Sequence, residues 1–379
     1  MEHYLDNAAT TRVSEAAAQA ALAAMTEGYG NPSSRHLQGT RAAEALAAHR
    51  AVIAGALGAE AERVVFTSGG TEGDNWSIRA AARMNRRAGK HIVTTAVEHD
   101  AVLKTCLAME QEGYEVTRLA PDKNGLVTAE QVMRAVRDDT ALVSVMLVNN
   151  EIGTILPVGE VARALRARGS RALLHCDAVQ GFLKIPFTAD GLGADFIVVS
   201  GHKVHAPKGV GAVCFGRGLR VPPMLTGGGQ EGGLRSGTEP TAQIAAFAAA
   251  VEEGTASFEG DRTYLEELKR YTMERLTASV PGIEPVGAGR APHILAVTLP
   301  GYKSEVLVRY LSDRGIYISS GSACHKGKPS HVFAAVGLDK KRRDGAMRVS
   351  FCAQNTRADA DALASALAAA QKELFTALS

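Results

Sequence analysis

Between residues 63 and 215 short apolar runs alternate with longer stretches of helical period, the pattern of an α/β domain built on a mostly parallel sheet. Seven runs read as strands: Arg63 to Thr67, His91 to Thr95, Glu115 to Leu119, Ala141 to Val148, Ala172 to Cys176, Phe196 to Val199 and Gly211 to Phe215. The last follows the turn at Pro207-Lys208-Gly209 too closely for a crossover helix, so it is expected to run antiparallel to its predecessor. Ser14 to Met25 reads as an alanine-rich helix. After a glycine-rich passage from Gly227 to Thr238, the pattern predicts a helix of small residues from about Thr241 to Ala256. The composition then shifts to a charged helical stretch, Asp261 to Leu276, taken as the way into a second domain. The chain closes with a helix opened by Thr356, with Leu363, Leu367, Leu374 and Leu378 on one face. The N-terminal strand is expected to pack with it. The expected division is a large domain over 14–257 and a smaller α+β domain made of 1–13 with 258–379.

Length and charge narrow the function classes. The 379 residues can bury a full core, and 42 basic against 40 acidic side chains leave no global field that would recruit nucleic acid or an anionic membrane. The apolar runs are strand-sized and the N-terminus has no basic region followed by a hydrophobic one, so a cytoplasmic protein with no membrane partner is expected. Five cysteines (Cys106, Cys176, Cys214, Cys324 and Cys352) show no zinc-ligand spacing, and no metal site is expected. Cys176 and Cys214 lie in apolar runs and read as core.

In open α/β sheets ligands bind beyond the carboxyl ends of the strands, and the polar residues of this chain collect there. Ser68-Gly69-Gly70-Thr71-Glu72 follows the first strand, Glu98-His99 the second, Asn149 to Gly153 the fourth, Asp177 and Gln180 the fifth, and Ser200-Gly201-His202-Lys203 the sixth. Gly70 and Thr71 open a helix, where backbone N–H groups can cradle a phosphate. The motif is neither a Walker loop nor a dinucleotide fingerprint. A lysine at a buried strand end can form a Schiff base, and an acid on the neighbouring strand can pair with a cationic ring nitrogen. Lys203 and Asp177 therefore point to pyridoxal phosphate.

These motifs, with Tyr4 to Thr11, Gly30 to His36, Arg235-Ser236-Gly237-Thr238-Glu239, Ser319 to Cys324 and Arg348 to Phe351, closely resemble those of the cysteine desulfurases. The resemblance covers essentially the whole chain and implies the pyridoxal-phosphate transferase fold type I. It further implies that Lys203 carries the cofactor, Asp177 pairs with the ring nitrogen, Gln180 contacts the ring hydroxyl and His99 stacks on the ring. Gly70, Thr71, Ser200 and His202 would hold the phosphate, with Thr238 reaching across from a second subunit of a homodimer. Asn149 would lie near ring and substrate, and Arg348 would clamp the carboxylate of L-cysteine.

Cys324 lies in a small, polar stretch with His325, Lys326 and Lys328 close by in sequence, positive charge that favours the nucleophilic thiolate. By resemblance, Cys324 takes the substrate sulfur as a persulfide and releases L-alanine. The sulfur then passes to an acceptor such as an iron–sulfur scaffold, where Cys324 could help hold a cluster, or enters another thio-cofactor or tRNA-thiolation route. A selenocysteine lyase or an aminotransferase would share Lys203 and Asp177, although an aminotransferase has no need of Cys324. A non-catalytic binding protein has no need to keep all three. Lys340 to Arg343 is a short basic run, readable as a solvated face or as a partner contact.

Overall fold

In the computed structural model, residues 2–320 and 330–376 are described. Strand β1 (His3–Tyr4) lies apart from the main sheet. That sheet contains β2 (Val64–Thr67), β3 (His91–Thr95), β4 (Glu115–Leu119), β5 (Thr140–Ser144), β6 (Leu173–Asp177), β7 (Phe196–Ser200) and β8 (Gly211–Phe215). Their spatial order is β2-β8-β7-β6-β5-β3-β4. Neighbours from β7 across to β4 run parallel, whereas β8 is antiparallel to both β7 and β2. The short turn before β8 imposes that reversal, as expected from the sequence.

Both faces of the sheet are covered, which is why its inner strands read as unbroken apolar runs. Along β7, Ile197 and Val199 join one core while Phe196 and Val198 join the opposite one with Trp76 and Phe215. The fourth predicted strand proves shorter than Ala141 to Val148. Regular pairing stops at Ser144, and Val148 instead bridges back to Ile155 across a tight turn. Backbone bonds Val145 N to His175 O (3.0 Å) and Leu147 N to Asp177 O (2.8 Å) still hold this extension against β6.

A second set of strands, β9 (Glu284–Pro285), β10 (Ile294–Thr298), β11 (Ile316–Tyr317) and β12 (Ala346–Ser350), forms a three-stranded antiparallel sheet β12-β10-β9 and a parallel pair of β11 with β1. The N-terminal strand thus joins the C-terminal part of the chain, and Leu5 packs with Leu265, Leu307, Leu363 and Leu367.

Two helix readings need correction. The predicted helices Thr241 to Ala256 and Asp261 to Leu276 are one helix, Thr241–Ser279, of 39 residues. Its first half buries Ile244, Phe247 and Val251 in the core of the large sheet, and its second half buries Leu265, Leu268 and Leu276 in the other core. The shift in composition marks a change of packing partner rather than a break, because no proline intervenes and ion pairs Arg262–Glu266 and Arg270–Glu274 support the exposed face. The last helix, Arg357–Glu373, opens with the Thr356–Asp359 capping box. Leu374 is already past its end, and Leu378 lies outside the described residues.

Among the described residues no helix is long and apolar enough to cross a membrane, and no cluster of metal-ligating side chains occurs. Cys106, Cys176, Cys214 and Cys352 are buried free thiols, consistent with core roles. The Lys340–Asp344 helix is capped by Asp339, and Arg342 is paired with Glu284 and Asp339, so part of the basic run is engaged within the chain.

Candidate active site

The parallel strands change direction of succession between β3 and β5, and the loops leaving these strands frame a crevice at their carboxyl ends. A cavity of about 330 Å³ opens there. Its walls combine the predicted residues Gly70, Thr71, His99, Asp177, Gln180, Ser200, His202, Lys203 and Arg348 with Ala8 and Ala9 from the N-terminal segment. Residues from both ends of the chain meet in one place.

Helix Gly70–Met84 aims its N-terminus at the cavity. Gly69 has φ +148, a conformation costly for any other residue, and a Cβ on Gly70 would stand 2.9 Å from Val179 Cγ2. Gly70 and Thr71 line the cavity, and the N–H groups of a helix's first turn have no partner within the helix. Ser200 Oγ is buried with no hydrogen-bond partner among the described residues. Unpaired donors at a helix start suit an anionic phosphate.

Lys203 Nζ donates to the carbonyls of Ala8 and Ala9, each at 2.7 Å. Across the cavity Asp177 is buried and accepts the Val179 N–H at 3.0 Å. Burial pushes its pKa up, opposed by the neighbouring His99, the Val179 hydrogen bond and the Lys203 ammonium. Asp74, one helical turn beyond Gly70, is also buried and is raised well above the carboxylate range by burial and by the charges of Asp177 and Glu98. A cationic ring nitrogen would relieve this crowding of acids, so the donor set fits pyridoxal phosphate.

His99 caps helix Asp100–Gln111, with Nδ1 accepting the Ala101 N–H at 3.1 Å. Burial lowers its pKa, so it is neutral, and with Nδ1 as acceptor its proton resides on Nε2. His202 is likewise neutral: burial and the nearby Lys203 and Lys208 charges lower it to about 4. Gln180 donates to Ala8 O at 2.8 Å.

Arg348 donates Nη1 to Asn150 O at 2.8 Å and Nη2 to Asp6 Oδ1 at 2.7 Å, while its buried Nε has no hydrogen-bond partner among the described residues. A guanidinium held on two sides with one donor unspent can receive a carboxylate.

Two predicted residues are not on the cavity wall. Asn149 is fully buried; its Oδ1 accepts from Glu151 N and Ile152 N (2.9 Å each) and its Nδ2 donates to Val97 O at 2.8 Å. It shapes the loop that brings Asn150 and Glu151 to the wall. Thr238 is exposed on the glycine-rich loop, away from the cavity. That loop is fastened to the phosphate-facing elements. Arg235 pairs with Glu72 at 2.5 Å, and Glu231 takes both Arg50 (2.6 Å) and the Phe66 N–H (2.8 Å). Cys324 lies outside the described residues.

Sequence reading missed Asp74, Glu151, His331 and the Ala8–Ala9 carbonyls as cavity walls. Asp74 was accessible through its spacing of four from Gly70 on one helix face. No local signal couples Ala8 to a lysine 195 positions away.

A sheet of this order, with a lysine beyond β7 and an acid at the end of β6, defines a pyridoxal-phosphate enzyme of fold type I. The model of the aminotransferase class-V family matches residues 3–363, and the chain belongs to that family. It is 40% identical over 362 residues to the cysteine desulfurase IscS of Methanosarcina thermophila, covering 94% of this chain and 89% of that one. Among solved structures it is similar to a NifS-like protein, with TM-score 0.93 and 34% identity over 99% of this chain and 100% of the other. It is also similar to SspA in complex with cysteine, with TM-score 0.81 and 31% identity over 94% and 100%.

Proposed function

We propose that the chain is a cysteine desulfurase that converts L-cysteine to L-alanine and carries the sulfur away on Cys324. The observation supporting this reading most strongly is the cavity that sets Lys203, Asp177, His99 and Arg348 around one space, in a chain 40% identical to a protein named for that activity.

Lys203 would anchor pyridoxal phosphate, Asp177 would pair with its ring nitrogen, and the start of helix Gly70–Met84 with Ser200 and His202 would hold its phosphate. When bound, the cofactor supplies an electron sink for negative charge at the substrate α-carbon. Arg348 orients the substrate through its carboxylate, and Lys203 Nζ moves the α-proton. Neutral His99, with its hydrogen on Nε2, can donate a proton there and take one back once it has been given up. The Cys324 thiolate attacks the substrate sulfur: an S–S bond forms, the carbon–sulfur bond breaks, and the carbon fragment takes up protons to leave as L-alanine. The Cys324 sulfur and the substrate sulfur each give up one electron and the β-carbon gains two, so no external oxidant enters. A thiol-bearing or iron–sulfur scaffold protein is the acceptor class. A second copy of the chain would bring its Thr238 to the phosphate.

The test measures alanine and sulfide release from L-cysteine by wild type and Cys324→Ser, with a dithiol reductant present to release the persulfide sulfur as sulfide. Wild type should release equal amounts, and the variant should keep the yellow cofactor but lose most release. Equal turnover by both proteins would overturn the role of Cys324.

A further inference from the structure

Glu151 is a buried acid that the proposed reaction leaves unused. It has 5% exposure, and burial pushes its pKa up to about 7 against the opposing Ser330 hydrogen bond and Arg348 charge. A carboxyl kept in such a place needs a reason. Its position is fixed by the loop, since Asn149 Oδ1 binds the N–H groups of both Glu151 and Ile152.

The partner of Glu151 is the Ser330 hydroxyl. Ser330 Oγ already accepts from Val332 N at 3.1 Å and Phe333 N at 3.3 Å, capping helix His331–Ala335. A hydroxyl has one proton, and here it goes to Glu151. Ser330 is the first described residue after Cys324 in the chain. On the upstream side, Ser319 exchanges backbone bonds with Arg348, N to O at 3.1 Å and O to N at 2.8 Å. The Arg348 side chain in turn donates to Asn150 O, next to Glu151. Hydrogen bonds and peptide bonds therefore run from Ser319 through Arg348, Asn150 and Glu151 to Ser330. Both roots of the segment that carries Cys324 are tied to the carboxylate end of the cavity.

We propose that Glu151 is a positioning residue for sulfur transfer, fastening the downstream root of the Cys324 segment through Ser330 to the loop beside Arg348. This rests on the sulfur-transfer reading above. It assigns Glu151 no proton and no contact with substrate.

Three readouts on the cofactor-loaded enzyme separate this role from a general structural one: the cofactor absorbance, washout of the substrate α-hydrogen in deuterated water, and the single-turnover rate of persulfide formation on Cys324 by mass spectrometry. In Glu151→Ala and in Ser330→Ala, absorbance and α-hydrogen washout should stay near wild type. Persulfide formation should fall about tenfold, the scale of one buried hydrogen bond lost. Glu151→Gln, which keeps an acceptor oxygen, should recover to within about threefold of wild type. Persulfide formation unchanged in both alanine variants would overturn the proposal. So would loss of cofactor absorbance together with transfer, because Glu151 would then be holding the cavity. Absence of any Cys324 persulfide in wild type would instead overturn the sulfur-transfer reading.

Discussion

Asp177 and His175 lie two positions apart on β6 and illustrate how burial sets chemistry residue by residue. Asp177 faces the cavity with its charge poorly compensated, so the affinity for pyridoxal phosphate should depend on it heavily. Asp177→Asn is expected to weaken cofactor binding by about 100-fold or more, since breaking a buried charge pair costs ~3 kcal/mol or above. An absorbance titration of the apoprotein measures this. His175 lies on the same face, fully buried, with Nδ1 2.8 Å from Ser144 Oγ and Nε2 3.3 Å from Asp74 Oδ1, and burial lowers its pKa from 6.5 to about 3. The unfolded chain binds a proton below 6.5 that the folded chain refuses, so this residue's contribution is present above 6.5 and lost as pH falls toward 3. Glu98, raised by burial to about 8, acts in the opposite sense: its contribution is present below 4.5 and lost as pH rises toward 8. The wild-type-minus-His175→Gln difference in urea unfolding free energy should therefore decline from pH 6.5 to pH 3. A flat difference would contradict the buried neutral histidine.

At the level of elements, the inner strands were legible because a sheet covered on both faces leaves continuous apolar runs, and the reversal of β8 because the turn before it is too short for a crossover helix. The long helix was not legible as one helix. Its pattern changes at the point where it leaves one core for the other, and a change of burial face resembles a boundary in a linear reading. Gly254 and Gly260 both lie inside this helix, and their surroundings differ. A Cβ on Gly260 would meet nothing within 4 Å, whereas one on Gly254 would stand 3.0 Å from Leu183 Cδ1. Gly260→Ala should therefore stabilise the protein by about 1 kcal/mol, while Gly254→Ala should gain less or nothing. Urea midpoints of the two variants decide the matter. The cavity walls were legible wherever a residue follows a strand end, as with His99, Asp177 and Lys203. Ala8 escaped because its contact with Lys203 spans 195 residues of chain, and Glu151, although it follows a strand end, drew no role because its partner Ser330 lies 179 residues further on.

On the scale of the whole molecule, the N-terminal segment and β12 close over a cavity floored by the large sheet, and the glycine-rich loop turns Thr238 outward. We propose that the chain works as a large domain over 14–257 and a smaller one made of 1–13 with 258–379, paired with a second copy that receives this Thr238. Exposed Leu22, Met25, Tyr29 and Leu37 offer apolar surface for that pairing. Mixing Lys203→Ala with Thr238→Ala protein tests the exchange. If each site takes its lysine from one subunit and its threonine from the other, random re-pairing restores up to roughly a quarter of the sites. No gain over the separate variants would contradict a shared site.

The central claim, that sulfur leaves cysteine onto this chain itself, is tested most directly by one turnover with L-cysteine carrying a heavy sulfur isotope, followed by mass analysis of the peptide containing Cys324. The account predicts one labelled sulfur on Cys324 and one alanine per active site. Alanine formed without label on that peptide would contradict it.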